Sequence, residues 1–301
     1  MKIKYILKLA FENVHQFKNF NPEESKLIIS DPRSGGTWLA ELLNCIPHSL
    51  LIDEPLNLTN NRALEKLNFS WRQYIPENTD WNEAKTYFQH LFSGKKIDHK
   101  YSKLNFSSLK AKSLIFKFIR AKGLLPFILK NFEFKYRPIV LLRNPYAIMA
   151  SLKNHHAFNY KFREFEIPDS RYMDFLENDL AFLKSLKTNE EQQLAWWCIN
   201  NSILKESSSK DWILLNYEDL ITNFTESMKL IFSNWSLPIP DSLWQNQFRV
   251  SSSSNKTEIT TDNQLNGWKH QLSKEEIDRY KLVLNYFEID YEKLKLDLYP
   301  S

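Results

Sequence analysis

A short loop near the beginning of the chain contains five residues suited to binding an anion: Arg33, Ser34, Gly35, Gly36 and Thr37. The two glycines allow the backbone to approach a ligand closely, the two hydroxyls are hydrogen-bond donors, and the arginine carries a permanent charge. If a helix begins here, its first backbone N–H groups add to the site. The pattern therefore predicts an anion-binding cradle. The structural alternative is a tight turn with a threonine near the start of a helix.

A second pair of polar residues follows the apolar segment 138–142. Arg143 comes directly after that segment, and Ser151 lies eight residues further on. At the end of a strand, the guanidinium of Arg143 would present its planar fork to a phosphate, and Ser151 would add a hydroxyl two helical turns later. Considered separately, Arg143 is better explained as part of a surface ion pair, and Ser151 as a serine on the surface of a helix.

Both sets of residues follow short apolar runs that are typical of buried β-strands. Four such runs occur, at residues 27–30, 113–118, 138–142 and 212–216. They alternate with helix-like segments at 38–44, 124–132, 146–153, 222–235 and 274–286. This alternation indicates a parallel sheet covered on both faces. We expect a single doubly wound α/β domain that binds ligands at the carboxyl ends of its strands.

The same patterns predict the domain boundaries. Residues 25–301 are expected to form the α/β domain, with a helical insertion near 155–208 that contains helices at 171–186 and 190–206. Residues 1–24 are expected to form a helical extension. This extension mixes lysines with apolar side chains and lacks the cleavage pattern of a secretion signal. It fits either an amphipathic helix that contacts a membrane surface or an ordinary helix packed on the domain.

The composition is that of a folded protein without a strong electrostatic bias. Of the 301 residues, 43% are hydrophobic and 25% are charged, which excludes general disorder. The net charge of +4 is far below that of a dedicated nucleic-acid-binding protein. The apolar runs are too short for a transmembrane helix. The two cysteines cannot form a four-thiolate zinc site, and they favour a reduced, cytoplasmic protein, free or peripheral to a membrane. The sequence does not indicate an oligomeric state.

Residues 32–39 resemble the 5′-phosphosulfate loop of the sulfotransferases that use PAPS, 3′-phosphoadenosine 5′-phosphosulfate. In that family a Pro-Lys/Arg-Ser-Gly-x-Thr-Trp-Leu segment follows the first strand, and this chain has Pro-Arg-Ser-Gly-Gly-Thr-Trp-Leu. A P-loop for ATP or GTP needs a lysine before its Ser or Thr, whereas here Gly36 directly precedes Thr37. The pair Arg143 and Ser151 is similar to the family's 3′-phosphate motif, so both phosphate sites of PAPS are implied.

Two further segments are similar to the same family. Residues 217–220, Tyr-Glu-Asp-Leu, match a motif whose tyrosine lies near the adenine, with a sheet-end aromatic residue as the alternative for Tyr217. Residues 266–270, Asn-Gly-Trp-Lys-His, resemble the end of the family's flexible loop over the cofactor. That resemblance makes Lys256 a candidate for binding the 3′-phosphate. It also implies that Trp38 stacks on the adenine, with a core tryptophan as the alternative.

The expected catalytic base differs from that of the cytosolic branch of the family. Cytosolic members carry Lys-x-His after the second strand, whereas here Lys117 is followed by Phe-Ile-Arg, with no histidine. Carbohydrate and related sulfotransferases commonly have a Glu before a Pro, which matches Glu54. A carboxylate whose pKa is raised by partial burial can accept the proton of a hydroxyl, so Glu54 is the predicted base. The alternative is a solvated carboxylate or one paired with Arg33. Weaker candidates are His48, His155 and His156.

The resemblance implies a PAPS-dependent sulfotransferase that moves a sulfuryl group to a hydroxyl or amine of a carbohydrate, lipid or small metabolite. Arg33, Lys117 and the loop N–H groups would stabilise the charge that builds on the leaving phosphate oxygen. Because these fixed cations take the role of magnesium in kinases, no metal is expected. Two alternatives stay open: a P-loop-type kinase or NTPase, and a noncatalytic nucleotide-binding module.

Overall fold

Five short strands form one sheet in the computed structural model, which describes residues 18–59, 61–95, 110–153, 155, 160–208, 210–247, 252 and 260–298. The strands are β1 (Lys26–Ser30), β2 (Ser49–Asp53), β3 (Ser113–Ile119), β4 (Ile139–Leu142) and β5 (Ile213–Asn216). Their spatial order is β2-β3-β1-β4-β5, and each neighbouring pair is parallel. The α/β fold expected from the sequence is confirmed.

Helices of very different lengths connect the strands. In chain order the described α-helices are α1 (Gly36–Leu43), α2 (Arg62–Lys66), α3 (Asn82–Phe92), α4 (Leu125–Asn131), α5 (Pro145–Lys153), α6 (Met173–Leu176), α7 (Leu180–Ser185), α8 (Asn189–Glu206), α9 (Tyr217–Thr222), α10 (Phe224–Asn234), α11 (Asp241–Gln245), α12 (Thr261–Leu265), α13 (Trp268–Gln271), α14 (Lys274–Tyr286) and α15 (Tyr291–Asp297). Short 3₁₀ helices occupy Pro22–Glu24, Lys122–Leu124, Ser170–Tyr172 and Glu177–Asp179.

The helices cover both faces of the sheet because the strand side chains alternate between two cores. In β1, Leu27 and Ile29 belong to one core, and Ile28 belongs to the other. Side chains of α3, α4, α5, α8 and α14 complete the first core, and those of α1 and α10 complete the second. Burial on both faces explains why the central strands are continuous apolar runs in the sequence.

The sequence predicts four of the five strands to within one residue at each end. β2 is the exception, because its three apolar residues, Leu50, Leu51 and Ile52, do not distinguish a strand from a loop until they pair with β3. One predicted helix is broken, and another begins two residues later than predicted. The segment 171–186 divides into α6 and α7 with adjoining 3₁₀ turns, and the segment 222–235 begins later, after a break at Asn223.

The helical segment predicted near 155–208 contributes directly to the first core. Its longest helix, α8, begins with a capping box in which the side chains of Thr188 and Glu191 each bond the other residue's backbone N–H. Leu194, Cys198 and Ile199 on α8 are fully buried. α8 therefore covers the sheet instead of standing apart from it.

At the amino-terminal end, Phe20 is buried in the first core, and its N–H donates to the Ser93 carbonyl. Residues 1–17, which hold most of the predicted helical extension and its proposed membrane contact, lie outside the described residues. None of the described helices has the length and apolar character required to span a membrane.

Candidate active site

The crevice at the centre of the sheet lies at the carboxyl ends of β1 and β4. After β1 the chain forms β2 and then β3, which both lie on one side of β1. It then crosses to β4 on the other side of β1. Doubly wound sheets bind ligands where the strand order changes direction in this way. The two groups of polar residues singled out in the sequence follow β1 and β4, so they share this crevice.

The loop after β1 depends on two glycines for its shape. Gly35 has a φ of 90°, and a Cβ atom at this position would lie 2.4 Å from the Tyr217 ring. A Cβ atom on Gly36 would lie 2.3 Å from the Ser30 hydroxyl. Because α1 begins at Gly36, the N–H groups of its first turn have no acceptor within the helix. The loop therefore has the geometry of the predicted anion cradle.

The two hydroxyls of the loop have different partners. Ser34 is fully buried, and its N–H and its hydroxyl both donate to the Asp31 carbonyl, at 3.2 and 2.7 Å. In this geometry the Ser34 side chain holds the turn closed. Thr37 is half-buried, and its Oγ1 accepts a hydrogen bond from Lys117 Nζ at 3.3 Å. Thr37 thus connects the cradle to β3.

A buried ion pair fixes the beginning of the cradle. The Lys122 ammonium has no solvent exposure, and it donates to Asp31 Oδ2 at 2.6 Å and to Asn201 Oδ1 at 2.7 Å. Asp31 follows β1, Lys122 begins the turn after β3, and Asn201 lies on α8. Removing one partner from such a pair leaves an uncompensated buried charge, which is strongly destabilising. The network therefore ties three elements together behind the cradle.

Arg33 and Arg143 lie side by side and join the two predicted phosphate sites. Arg143 Nη1 donates to the Arg33 carbonyl at 2.7 Å, and Arg33 Nε donates to Ser151 Oγ at 3.0 Å. Burial, together with the Arg143 charge, lowers the pKa of Arg33. Arg143 Nε is buried without a hydrogen-bond partner among the described residues, and Arg143 forms no ion pair with any of them. The two arginines therefore form a cationic site in which the Nε–H of Arg143 has no acceptor among the described residues.

Tyr217 and Trp38 pack over the same loop. The guanidinium of Arg143 lies 4.2 Å from the centroid of the Tyr217 ring. The Trp38 ring meets the Tyr217 ring edge-on, with their centroids 6.4 Å apart. Tyr217 is buried, which raises the pKa of its hydroxyl, whereas Trp38 is only half-buried. Both residues support the cradle, and their contact with an adenine stays a prediction. Lys256 lies outside the described residues.

Lys117 and Glu54 come together through the register of β2 and β3. Asp53 is the register partner of Lys117. Lys117 Nζ lies 2.7 Å from Asp53 Oδ1 and 3.0 Å from Glu54 Oε1. The lysine side chain is 2% exposed, and each carboxylate side chain is 27% exposed. Glu54 is therefore paired with Lys117 and is neither fully solvated nor paired with Arg33.

Three residues at this edge of the sheet have left-handed backbone conformations. The φ angles of Arg33, Glu54 and Arg120 are 65°, 48° and 60°. Non-glycine residues rarely adopt such angles, and those that do concentrate at functional sites. Arg120 directly follows β3 and was not singled out in the sequence, because neither its spacing nor its neighbours distinguish it from a surface arginine. The position of Arg120 at the carboxyl end of β3 is what identifies this arginine as a candidate site residue.

The histidines do not take the place of Glu54. His48 precedes β2, and its carbonyl accepts hydrogen bonds from the N–H groups of Lys112 and Ser113, so it lies at the opposite edge of the sheet. His155 follows the end of α5, and His156 lies outside the described residues. Within the part of the chain that the structure describes, no three His, Cys, Asp or Glu side chains form a metal-binding group.

The arrangement can bind a ligand with two separate anionic groups and place a carboxylate beside one of them. The cradle fits a phosphate-like group because the backbone N–H groups at the start of α1 are free of acceptors within the helix, and its two glycines let the loop pack closely on Ser30 and Tyr217. The unpartnered Nε of Arg143 fits a second phosphate. Lys117 then lies between the first anion site and Glu54. This is the geometry expected for transfer of a charged group from a doubly phosphorylated donor.

Comparison with known families agrees with this geometry. Residues 23–297 match the model of the family described as the sulfotransferase domain. Because the match covers most of the chain, the chain belongs to the sulfotransferase domain family. The comparison with curated proteins found no match to this chain.

Several solved structures are similar to this chain at low identity. Mouse sulfotransferase SULT7A1 complexed with PAP is 14% identical, with a TM-score of 0.46, 95% of this chain covered and 92% of the other. The sulfotransferase domain from the curacin biosynthetic pathway is also 14% identical, with a TM-score of 0.48 and coverages of 90% and 99%. The corresponding domain of the Synechococcus PCC 7002 olefin synthase is 16% identical, with a TM-score of 0.47 and coverages of 91% and 96%. These likenesses are weak, so family membership rests on the sequence match.

Proposed function

We propose that this sulfotransferase transfers the sulfuryl group of PAPS to a hydroxyl or amine of a carbohydrate, lipid or small metabolite. The phosphosulfate end of the donor would bind at the cradle, where the α1 N-terminus and Arg33 supply positive charge. The 3′-phosphate would be bound by Arg143 and Ser151. The adenine would lie near the half-exposed ring of Trp38.

The observation that carries this proposal is the position of the Lys117 ammonium. Nζ lies 3.3 Å from Thr37 Oγ1 on the cradle side and 3.0 Å from Glu54 Oε1 on the other side. A buried cation at this place faces the leaving phosphate oxygen as it gains charge. The same ammonium thus contacts both the cradle threonine and the Glu54 carboxylate, and an acceptor that reaches Glu54 would lie close to the bound sulfuryl group.

The bond changes define what each residue must do. The bond between sulfur and the 5′-phosphate oxygen breaks, a bond between sulfur and the acceptor oxygen or nitrogen forms, and the acceptor proton passes to Glu54. The products are the sulfated acceptor and adenosine 3′,5′-bisphosphate, abbreviated PAP. Such chemistry depends mainly on alignment and on stabilising the charge of the leaving group, which Arg33 and Lys117 supply.

The test compares two carboxylates that contact the same lysine. Glu54→Gln should lower transfer of radiolabelled sulfate from PAPS by about 100-fold or more, since a general base contributes 10² to 10⁴. Asp53→Asn is the matched control, because Asp53 also pairs with Lys117 but precedes the turn that carries Glu54. Both variants should keep the PAP affinity of the wild type. Full activity in Glu54→Gln would remove Glu54 as the base.

The same assay separates this proposal from its alternatives. A kinase or NTPase would consume ATP with magnesium and leave PAPS unchanged. A noncatalytic nucleotide-binding module would bind PAP and transfer nothing. Sulfate incorporation into an extract of candidate acceptors, read as a mass increase of the product, is expected only of the sulfotransferase. Consumption of ATP with magnesium then separates a kinase or NTPase from a noncatalytic module.

A further inference from the structure

An open pocket adjoins Glu54 at the carboxyl ends of β2 and β3. It is a concave part of the surface that opens to solvent, and eleven residues line it. Apolar and aromatic side chains form most of its wall: Leu56, Phe69, Trp71, Phe118 and Leu124. Its two charged lining residues are Glu54 and Arg120. We call it the Glu54 pocket.

Arg120 brings a positive charge into this pocket without a counter-ion. Its guanidinium lies 5.2 Å from the centroid of the Trp71 ring. Burial lowers the pKa of Arg120, and the charge of Glu54 opposes that effect. Yet among the described residues no carboxylate forms an ion pair with Arg120. A half-buried arginine of this kind has several hydrogen-bond donors to offer a ligand.

A second arginine adds to the positive charge near the pocket. Arg72, which lies between the lining residues Trp71 and Gln73 in the sequence, donates to the side-chain oxygen of Gln193 and stacks 5.0 Å from the Trp196 ring. Burial and the charge of Arg120 lower the pKa of Arg72 to about 10. The two guanidinium groups therefore lie close enough to repel each other.

The carboxylates nearest to these arginines are already paired with other cations. Glu54 contacts Lys117, and Asp31 contacts Lys122, at 3.0 and 2.6 Å. Asp169 contacts Arg171 at 2.9 Å. Lys117 is shared by Asp53 and Glu54, whereas neither Arg120 nor Arg72 forms an ion pair with any of the described residues. The guanidinium of Arg120 therefore keeps donors that an anionic ligand can use.

We propose that the Glu54 pocket binds an acceptor that carries an anionic group, a carboxylate, phosphate or sulfate, on an apolar or aromatic body. Arg120 pairs with the anionic group, the aromatic wall contacts the body, and the hydroxyl or amine to be sulfated faces Glu54. Arg120 is then a specificity-determining residue. This inference deepens the proposed function and rests on it for the identity of the reaction, but binding of the anion can be measured without turnover.

Calorimetric titration of the full chain with three small probes tests this proposal. Phenylacetate is anionic, phenylacetamide is its neutral counterpart of the same shape, and phenyl phosphate distinguishes a phosphate site from a carboxylate site. None of them has a free alcohol or amine to be sulfated. Because a charge-assisted hydrogen bond to a guanidinium corresponds to about tenfold in affinity or more, we expect at least one anion to bind about tenfold more tightly than the amide. The tighter anion identifies the preferred group.

Variants assign the preference to one side chain. Arg120→Gln should reduce the ratio of anion to amide affinity to about one, whereas Arg120→Lys should retain about threefold because it keeps the charge but loses the planar fork. Arg62→Gln is the matched control, because it removes an equal charge from an exposed position on α2. It should leave the ratio unchanged. Equal affinity for anion and amide in the wild type, no binding of any probe, or an unchanged ratio in Arg120→Gln would overturn the proposal.

Titrations with and without PAP separate this inference from the function on which it rests. Anion binding that depends on Arg120, in a protein that does not bind PAP, would contradict the proposed donor and support the pocket. PAP binding without any preference for anionic probes would contradict the pocket and support the donor.

Discussion

Arg33 and Arg143 are the residues that most directly define the ligand, because two neighbouring guanidinium groups repel each other unless an anion lies between or beside them. Arg33 uses its Nε on Ser151, and Arg143 uses one Nη on the Arg33 carbonyl. Arg143 Nη2 donates to the Gln264 carbonyl at 3.4 Å, and Arg143 Nε has no hydrogen-bond partner among the described residues. Two loops that are distant in the sequence thus form one cationic site.

Arg143→Ala should weaken binding of PAP by about 10- to 100-fold and leave binding of adenosine 5′-monophosphate within about threefold, since only PAP has a 3′-phosphate to lose a charge-assisted contact. Arg137→Ala is the control. Arg137 pairs with Asp211 and precedes the amino-terminal end of β4, at the opposite end of the strand from Arg143. Calorimetry gives both affinities. Equal losses for the two nucleotides would undo the assignment of Arg143.

Lys26 predicts a pH dependence of stability that is independent of the active site. Its ammonium lies 4.0 Å from the centroid of the Tyr136 ring and donates to Ser113 Oγ, and burial lowers the pKa of Lys26 to about 8. The unfolded chain, with the ordinary lysine pKa, then binds more protons than the folded chain above pH 8. The free energy of unfolding should therefore rise from pH 8 to pH 9.5, by at most about 2 kcal/mol.

Urea unfolding of the wild type and of Lys26→Met over this pH range isolates the contribution of Lys26. The free energy of unfolding of the variant should change less with pH, because all other groups titrate equally in both proteins. Identical slopes would show that Lys26 keeps an ordinary pKa in the folded state.

Among the elements, the loop between β1 and α1 combines binding and stability in the fewest residues. Gly36 contacts Ser30, whose hydroxyl donates to the Phe118 carbonyl, so the loop is packed against both β1 and β3. Asp31 connects the same loop to Lys122 and α8. The cradle is therefore preorganised, and an added side chain at Gly35 or Gly36 would collide with the side chain of Tyr217 or Ser30.

Gly36→Ala should lower the free energy of unfolding by about 1–3 kcal/mol, which is typical of overpacking, and should weaken PAP binding. In Ser30→Ala/Gly36→Ala the closest clash is absent. The double variant should therefore be more stable than the sum of the single effects by about 1 kcal/mol. Chemical denaturation measures all four proteins, and strict additivity would show that the Ser30 contact does not limit the loop.

Sequence patterns predict the elements that are locally encoded. β1, β3 and β4 are evident because central parallel strands are apolar throughout, and the edge strand β5 is evident because Trp212 extends its three apolar residues to a run of four. β2 has only three apolar residues and depends on its pairing with β3, which lies about sixty positions later in the chain. The break near residue 177 was also not predicted, because helical periodicity continues across it while the backbone does not.

The site was predictable where a single segment carries it. The cradle and Arg143 follow from local patterns, whereas the partner of Glu54 depends on register. From the sequence, a pairing with Arg33 was only one alternative for Glu54, and the alignment of Asp53 with Lys117 brings the lysine to Glu54 instead. Arg120 has no sequence signature, because its relevance arises from the backbone at the end of β3 and from the pocket that adjoins it.

For the molecule as a whole, the central claim is that the loops after β1 and β4 bind the two ends of one adenosine bisphosphate. A ligand that binds only the folded state stabilises it by about 2.7 kcal/mol at 100 times its dissociation constant. For a chain of this size that corresponds to a rise in melting temperature of about 5 °C.

The most direct measurement is a thermal unfolding comparison of the full chain with PAP and with ATP plus magnesium at equal concentrations. PAP carries both of the phosphates for which we propose the cradle and Arg143. ATP has no 3′-phosphate, and the loop lacks the lysine that a P-loop for ATP has directly before its Ser or Thr. We expect PAP to raise the melting temperature by about 5 °C at saturating concentration, and ATP with magnesium to raise it much less. Equal shifts for the two nucleotides, or no shift with PAP, would contradict the account.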